Sequence, residues 1–254
     1  MNVTEQQIVH FHQNGFFFIE NPFGEEKMQT VEPIQRAVEP EWEERDWSAG
    51  LNRGACQFFM VGEPLLEMVE QPAVVDLARR ILWAKEVHVG ACGLGDASKI
   101  VSADARPQQQ VHWHADGGPE VQQVSFRTAL DRHDPTNAPL RVLPGSHVRE
   151  RDEVMEELRQ VELATGQHDT MPDHLFARHP HEIDVVLDPR WTLVWTPSCW
   201  HATGVKTGAG PRRAMAWNYY PPGGRKRDVE ALKYVFGEEW EGWTENRKQL
   251  WGLL

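Results

Sequence analysis

Two histidines and one aspartate have the residue types and the spacing to bind one transition metal. His114 and Asp116 are separated by a single residue, and His201 follows much later in the chain. In a β-strand, residues i and i+2 share a face, so His114 and Asp116 can reach one ion while His201 arrives from a distant strand. Two imidazoles and one carboxylate occupy one face of an octahedral Fe(II) and leave three positions for a bidentate ligand and dioxygen. The set therefore predicts oxidative chemistry at iron.

Short strands are the elements that must position these residues. Runs rich in β-forming residues, separated by Gly and Pro, predict a sandwich or barrel made from 87–91, 108–114, 121–130, 140–143, 183–187, 192–195 and 212–220. Apolar residues at helical spacing predict helices that pack outside this barrel, over 28–38, 65–85 and 228–236. An opening helix is expected as well, because Thr4 and Gln7 form a capping box in front of apolar positions.

One domain is expected, because 254 residues are enough for one well-buried core. We expect 1–85 to be mostly helical and to pack on the barrel, and 86–222 to form the barrel itself. A charged helical pattern and a polar stretch interrupt the barrel as a surface excursion over 149–182. The segment 223–254 is expected to be helical. The histidines of the polar stretch are predicted to lie in a solvated loop: His168, His174, His179 and His181.

The composition argues against several kinds of partner. Lys and Arg total 26 against 38 Asp and Glu, and this net charge of -12 opposes binding to nucleic acid or to anionic membranes. No run approaches the roughly 20 apolar residues that a membrane-spanning helix needs. The three cysteines are widely spaced, which favours free thiols in a reducing compartment and a cytoplasmic location. Cys199 is predicted to be a buried, inert thiol.

Four motifs, in the same order along the chain, resemble the phytanoyl-CoA dioxygenase family of Fe(II)/2-oxoglutarate-dependent oxygenases. They are Trp113-His114-Ala115-Asp116-Gly117-Gly118, Leu140-Arg141-Val142-Leu143-Pro144-Gly145-Ser146-His147, His201-Ala202-Thr203-Gly204 and Pro211-Arg212-Arg213-Ala214. The resemblance implies a mainly β fold whose core is a double-stranded β-helix, a cupin-like jelly roll, with flanking α-helices. His147, in the turn after the second motif's strand, is predicted to make a local hydrogen bond.

The resemblance also implies the cofactors and their ligands. His114, Asp116 and His201 would hold Fe(II), Arg212 would anchor the distal carboxylate of the cosubstrate 2-oxoglutarate, and Thr203 would donate a hydroxyl to it. The chemistry of Arg212 supports its role, because a guanidinium fork matches a carboxylate bidentately. With O2, the implied reaction hydroxylates an unactivated C–H bond of a small molecule and releases succinate and CO2. The carboxylate of Asp116 argues against a halogenase, which needs room there for halide.

The chain departs from the family pattern near the cosubstrate. Arg127 stands on the inward face of a predicted strand where the family commonly has an aromatic residue, and Asn137-Ala138-Pro139-Leu140 replaces a usual Asn-Gly pair. An inward arginine is costly without an anion, so Arg127 either binds an acidic group of the substrate or the cosubstrate, or forms an internal salt bridge with Asp131 or a nearby acid. Gln110 and His112 share the inward parity of His114 and are predicted to line the substrate pocket or to orient the metal ligands.

Two other functions fit parts of the pattern. A cupin-like hydrolase or isomerase would use Zn(II) or Mn(II) as a Lewis acid without 2-oxoglutarate, and Arg212 and Thr203 speak against it. A non-catalytic jelly roll could bind a small molecule while His114 and Asp116 pair only with each other. The intact ligand set and anchor favour the oxygenase. Nothing in the sequence indicates an oligomeric state.

Overall fold

The structure, a computed structural model, describes residues 2–24, 26–31, 33–34, 37, 50–96, 112–165, 175–208, 210–224 and 228–254. Within these ranges the strands are β1 Phe16–Glu20, β2 His88–Asp96, β3 Val124–Ala129, β4 Leu140–Val142, β5 Ile183–Val185, β6 Trp191–Trp195, β7 His201–Thr203 and β8 Arg213–Tyr220. The helices are α1 Glu5–Asn14, α2 Arg53–Val61, α3 Glu63–Val69, α4 Pro72–Leu82, α5 Arg151–Thr165, α6 Val229–Phe236 and α7 Glu245–Leu250, with short 3₁₀ turns at Ser146–Val148 and Glu239–Gly242.

The strands form two antiparallel sheets. The large sheet has the order β1-β6-β3-β8-β2 and the small one the order β5-β4-β7. Neighbours in sequence are mostly not neighbours in a sheet, because the chain crosses repeatedly between the two sheets. This arrangement, with helices around it, confirms the predicted jelly roll.

Side chains alternate between the two faces of the large sheet. On the outer face, Phe126, Trp217 and Tyr219 pack in one apolar cluster with the helices. On the inner face, Ala129, Leu193 and Trp195 meet the residues of the small sheet in a second cluster that includes Leu140, Val142 and Val185. Arg127 shares this inner face, as predicted from its place in the strand.

Capping residues, glycine and proline set the ends of the N-terminal helices. The capping box of Thr4 and Gln7 opens α1 as predicted, and Gly15 ends it with a left-handed φ of 88°. Gly15 also lets the chain approach the barrel, because a Cβ there would lie 2.9 Å from Cys199 Sγ. The helix predicted over 65–85 is two helices, since Pro72 lacks an N–H and starts α4 anew.

Several boundaries differ from those predicted. Of the helix predicted over 28–38, residues 28–31, 33–34 and 37 are helical, and the other residues lie outside the described ranges. The run 108–114 is described only from His112, and His114 forms a single bridge with His201 rather than a strand. The strand β7 was not predicted, whereas the helices α2 and α7 lie in segments that were expected to be helical but for which no individual helix was predicted. Among the residues described, no helix is long and apolar enough to cross a membrane.

Candidate metal centre

Backbone hydrogen bonds bring the predicted metal ligands together. His114 and His201 exchange two N–H to carbonyl bonds, each 2.9 Å long, although they are far apart in sequence. The N–H of Asp116 donates to the carbonyl of Pro197 at 2.9 Å, just before β7. These bonds fix the segment at 112–116 along the edge of β7. They bring the side chains of His114 and Asp116 next to that of His201.

The three side chains form a compact ligand set. One ligand atom from each of His114, Asp116 and His201 lies within 4.8 Å of the other two. His114 Nε2 is 3.9 Å from Asp116 Oδ1, and His201 Nε2 is 4.0 Å from Asp116 Oδ2. Small side-chain adjustments would let all three bond one ion. Two imidazole nitrogens and one carboxylate oxygen match the set that non-haem Fe(II) proteins use.

Backbone carbonyls hold both imidazoles in the form that binds a metal. His114 Nδ1 is 2.8 Å from the carbonyl of His112, and His201 Nδ1 is 2.9 Å from the carbonyl of Cys199. A carbonyl only accepts, so Nδ1–H donates and the Nε2 lone pair faces Asp116. His112 thus contacts the imidazole of His114 through its backbone carbonyl.

Burial keeps His201 neutral. The pKa of His201 is lowered to about 3, mainly by desolvation and also by the charges of His114 and Arg127, against the opposing effect of the hydrogen bond to Cys199. The rings of Trp195 and His201 pack perpendicular to each other with centroids 4.6 Å apart. A neutral, fixed imidazole needs no proton removal before it binds a metal.

A pocket of about 400 Å³ lies beside the ligand set. Its walls are His112, Trp113 and His114 on one side, and on the other side residues of α5, including Arg151 and Arg159. The His112 ring is half-buried and lies 5.7 Å from the His114 ring. His112 is therefore placed where it can contact a molecule next to the metal, whereas Gln110 lies outside the described residues.

Arg212 is buried at the start of β8 and binds the backbone. Its Nε and Nη2 both donate to the carbonyl of Ala138, at 3.0 and 2.9 Å. Ala138 has an unusual left-handed φ of 48°, at the position where the Asn-Gly pair was expected. Arg212 thus holds the turn that leads into β4. Thr203 follows His201 by two residues on β7 and shares its face.

Arg127 projects from β3 into the barrel and does not form the predicted salt bridge with Asp131. That carboxylate is held by Arg213, whose Nε and Nη2 donate to it at 2.8 Å each. Desolvation lowers the pKa of Arg127 to about 10, so it stays charged at neutral pH. Of the two readings of Arg127, the one with Asp131 as partner is wrong.

Other sequence predictions had mixed outcomes. Cys199 is buried, and burial raises the pKa of its thiol to about 11, which confirms an inert group. His147 does not bond locally, because its ring lies 3.2 Å from the carbonyl of the distant His12. His179 is buried and bonds Glu157 at 2.9 Å, so its assignment to a solvated loop was wrong, whereas His181 is exposed. His168 and His174 lie outside the described residues.

A buried ion pair beside the ligands was missed. Arg141 and Glu182 form two hydrogen bonds of 2.9 and 2.6 Å, and the Arg141 guanidinium lies over the Trp113 ring at 4.8 Å. Trp113 Nε1 donates to the carbonyl of Ala177 at 3.0 Å. These contacts fix the residue that precedes His114. The only signal in the sequence was a charged residue inside the apolar run Leu140-Arg141-Val142.

Two packed antiparallel sheets with a His-Asp-His ligand set between them define a class, the cupin-like non-haem metal proteins. The family profile described as phytanoyl-CoA dioxygenase (PhyH) matches residues 11–214. The chain belongs to this family, which confirms the resemblance of its motifs.

Known relatives and structures agree with this assignment. The chain is 26% identical over 160 residues to the ectoine dioxygenase of Bordetella bronchiseptica, in an alignment over 57% of this chain and 50% of that protein. It thus spans about half the length of this curated relative. EctD from S. alaskensis, solved with 2-oxoglutarate and 5-hydroxyectoine, has a TM-score of 0.61 at 17% identity, over 86% of this chain and 76% of that chain. The alpha-ketoglutarate-dependent carbocyclase SnoK has a TM-score of 0.61 at 17% identity, over 87% and 85%. The two structural likenesses support the fold.

Proposed function

We propose that the protein is an Fe(II)- and 2-oxoglutarate-dependent dioxygenase that hydroxylates an unactivated C–H bond of a small-molecule substrate. The observation that carries the proposal is the convergence of His114, Asp116 and His201, with the Nδ1 atoms of both imidazoles held by carbonyls. Membership of the phytanoyl-CoA dioxygenase family supports the same activity.

The chain's residues have distinct tasks in this reaction. His114, Asp116 and His201 would hold the iron, and Arg212 and Thr203 would contribute to the cosubstrate's carboxylate site. Iron with 2-oxoglutarate and O2 supplies an oxidant strong enough to attack a C–H bond, with release of succinate and CO2. The protein must aim one C–H bond at the metal and exclude water, and the pocket bordered by His112 and α5 is the place where the substrate would bind.

The substrate is proposed to be a small molecule. The ligand set borders a pocket, with His201 buried, His114 half-buried and Asp116 exposed, and this suits a molecule that enters a pocket. A relative named as an ectoine dioxygenase and a similar structure solved with 5-hydroxyectoine support a substrate of this size. We also propose a reducing compartment such as the cytoplasm, because Cys56, Cys92 and Cys199 are buried and none of them forms a disulfide.

Anaerobic titration with Fe(II) and then 2-oxoglutarate tests the function. A weak visible charge-transfer band of the chelate is expected, followed by formation of succinate when oxygen is admitted. Asp116→Asn should abolish both signals, whereas Asp76→Asn, a matched change on the exposed face of α4, should leave both intact. A wild-type protein with neither band nor succinate would refute the proposal and favour a hydrolase, an isomerase or a binding protein.

A further inference from the structure

The helix α5 forms one wall of the pocket beside the metal ligands and packs on the segments that carry them. Its buried apolar residues belong to one cluster with Trp113 and Trp200. These tryptophans directly precede the ligands His114 and His201 in the chain. Because protein interiors are close-packed, this contact fixes the helix relative to both segments. Side chains on the pocket face of α5 are therefore held at a set distance from the metal site.

Two arginines stand on the face of α5 that borders this pocket. Arg151, Met155 and Arg159 line it, and residues four apart follow one another along a single helix face. The two arginines are roughly 12 Å apart along the helix axis. Asp152 lines the pocket as well, so two positive charges stand against one negative charge on this wall. The wall therefore carries a net positive charge in a protein whose net charge is -12.

Arg151 has a guanidinium that is available to a ligand. It lies over the Trp200 ring at 5.5 Å, and among the residues that the structure describes it forms no ion pair. The acids Glu153 and Glu157 of the same helix are paired with Arg149. Stacking on a ring uses the face of a guanidinium and leaves the N–H groups of its edge. These groups match two oxygens of a carboxylate or a phosphate.

Arg159 extends the positive wall two turns further along α5. Its ion pair with Glu156 is 3.9 Å long and exposed, and such pairs contribute little energy. An anion in the pocket can therefore recruit Arg159 at little cost. The opposite wall consists of His112, Trp113 and His114, so an anion held by α5 lies next to a metal ligand.

We propose, on the basis of the oxygenase function above, that the substrate carries an oxyanion group, a carboxylate or a phosphate, which Arg151 binds with the help of Arg159. The anchored end holds the molecule against α5, while the C–H bond to be oxidised lies toward His114 and the metal. The net negative charge of the protein disfavours anions on the rest of the surface, so the two arginines also direct the substrate to this pocket.

Phosphorus NMR with phenylphosphonate, a small oxyanion, tests this assignment. The protein is loaded with Mn(II) and 2-oxoglutarate, so that the paramagnetic ion broadens the signal of a probe held in the pocket. Phenylphosphonate should show this broadening, and its uncharged dimethyl ester should not. Arg151→Gln should weaken phenylphosphonate binding roughly 10-fold, and Arg159→Gln by a smaller factor. Arg149→Gln removes a positive charge just before α5 but outside the pocket, and it should leave the binding unchanged.

Competition with benzoate distinguishes the two kinds of oxyanion. Benzoate that displaces phenylphosphonate would support a carboxylate on the substrate. Benzoate that leaves phenylphosphonate bound would support a phosphate.

Several results would overturn the proposal. They are wild-type protein that broadens neither probe, equal broadening of the acid and the ester, and unchanged binding in both Arg151→Gln and Arg159→Gln. Broadening that occurs only when 2-oxoglutarate is left out would overturn it too, because the phosphonate would then bind the metal itself. The visible band of the Fe(II) and 2-oxoglutarate chelate is measured on the same protein. A normal band without phosphonate binding refutes the anion site alone, whereas a missing band refutes the oxygenase function and the inference that rests on it.

Folding of the variants is checked by thermal unfolding. Arg151 is exposed and Arg159 is half-buried, so both glutamine variants should unfold close to the wild-type midpoint. If Arg151→Gln does not fold, Arg151→Lys supplies a second comparison. It keeps the charge but lacks the planar fork, so phenylphosphonate binding should still fall, by a smaller factor.

Discussion

Burial, together with two nearby arginines, keeps His133 neutral. It is buried, and its Nε2–H donates to the carbonyl of Arg213 at 3.0 Å. The pKa of His133 is lowered to about 3, mainly by desolvation and also by the charges of Arg212 and Arg127, whereas the Arg213 carbonyl and Asp131 oppose this shift. His133 is therefore neutral in the folded protein at pH values where it would be protonated in the unfolded chain.

This difference in pKa makes stability depend on pH. Since the unfolded state binds the extra proton below a pKa of about 6.5, the contribution of His133 is complete above that pH and is lost as the pH falls toward 3. Between pH 7 and pH 5 the loss should be about 2 kcal/mol of unfolding free energy. Urea unfolding at both pH values measures it.

Substitution isolates the contribution of His133 from that of other groups. His133→Gln should be less stable than wild type at pH 7, but the difference should shrink by about 2 kcal/mol at pH 5. His10→Gln, at an exposed histidine of α1, is the control and should follow the wild-type pH dependence. A constant difference between His133→Gln and wild type at both pH values would contradict the assignment.

At the level of single residues, the sequence predicted the direction in which a side chain points better than it predicted the residue that this side chain binds. The two-residue period of strands predicted that Arg127 points inward, as it does. It could not predict that Asp131 binds Arg213, because both partners lie at strand ends where small changes in backbone direction decide the contact. The hydrogen bond of Arg212 to Ala138 depends on a left-handed residue, which no pattern of residue types revealed.

The strand β4 contains a buried arginine that forms an ion pair. Arg141 stands between Leu140 and Val142, and both it and Glu182 are almost fully buried. Arg141 also donates to the carbonyls of Phe176 and Ala177 at 3.0 and 2.9 Å. The pair therefore holds the last residues of the surface excursion against β4. Through the contact with Trp113, it also fixes the residue that precedes the metal ligand His114.

Loss of one partner of this pair should be strongly destabilising. Glu182→Gln would leave the Arg141 charge buried without its carboxylate, and about 3 kcal/mol of unfolding free energy should be lost. Denaturant unfolding measures this loss. Glu153 on α5 forms a surface ion pair with Arg149. Glu153→Gln removes the carboxylate of this pair and should change stability little. Equal effects of the two substitutions would show that the buried pair contributes no more than a surface one.

At the level of elements, the sequence predicted most strands but not all boundaries. Alternation of side chains and punctuation by Gly and Pro were sufficient for β3, β4, β6 and β8. The short strand β7 was missed because Trp200-His201-Ala202-Thr203 has no alternation, and it forms by pairing with β4 and His114. Local residue patterns cannot predict an element that forms only by pairing with residues distant in sequence.

At the scale of the whole molecule, the large sheet separates the two tasks of the protein. Its outer face and the helices bury a large apolar cluster that includes Leu65, Leu66 and Phe126. Its inner face and the small sheet surround the polar groups and the ligand set. Stability of the helical layer and binding at the metal centre should therefore be separable by mutation.

Metal binding should stabilise the entire fold, because the ion would join the segment at 112–116 to β7. At a free concentration 100-fold above its dissociation constant, a ligand of the folded state contributes about 2.7 kcal/mol. For a chain of this size, Mn(II) should raise the thermal midpoint by roughly 5–10 °C. Differential scanning calorimetry with Mn(II) and with a chelator measures the shift.

Two variants separate this linkage from a general effect on stability. Leu66→Ala creates a cavity in the helical layer and should lower the midpoint in the absence of metal, yet the increment from Mn(II) should persist because the ligand set is untouched. Asp116→Asn should fold and lose the increment, since one anionic ligand is gone. An increment retained in Asp116→Asn would mean that the ion binds elsewhere. If Leu66→Ala lost the increment from Mn(II), packing in the helical layer and metal binding would be coupled and could not be separated by mutation.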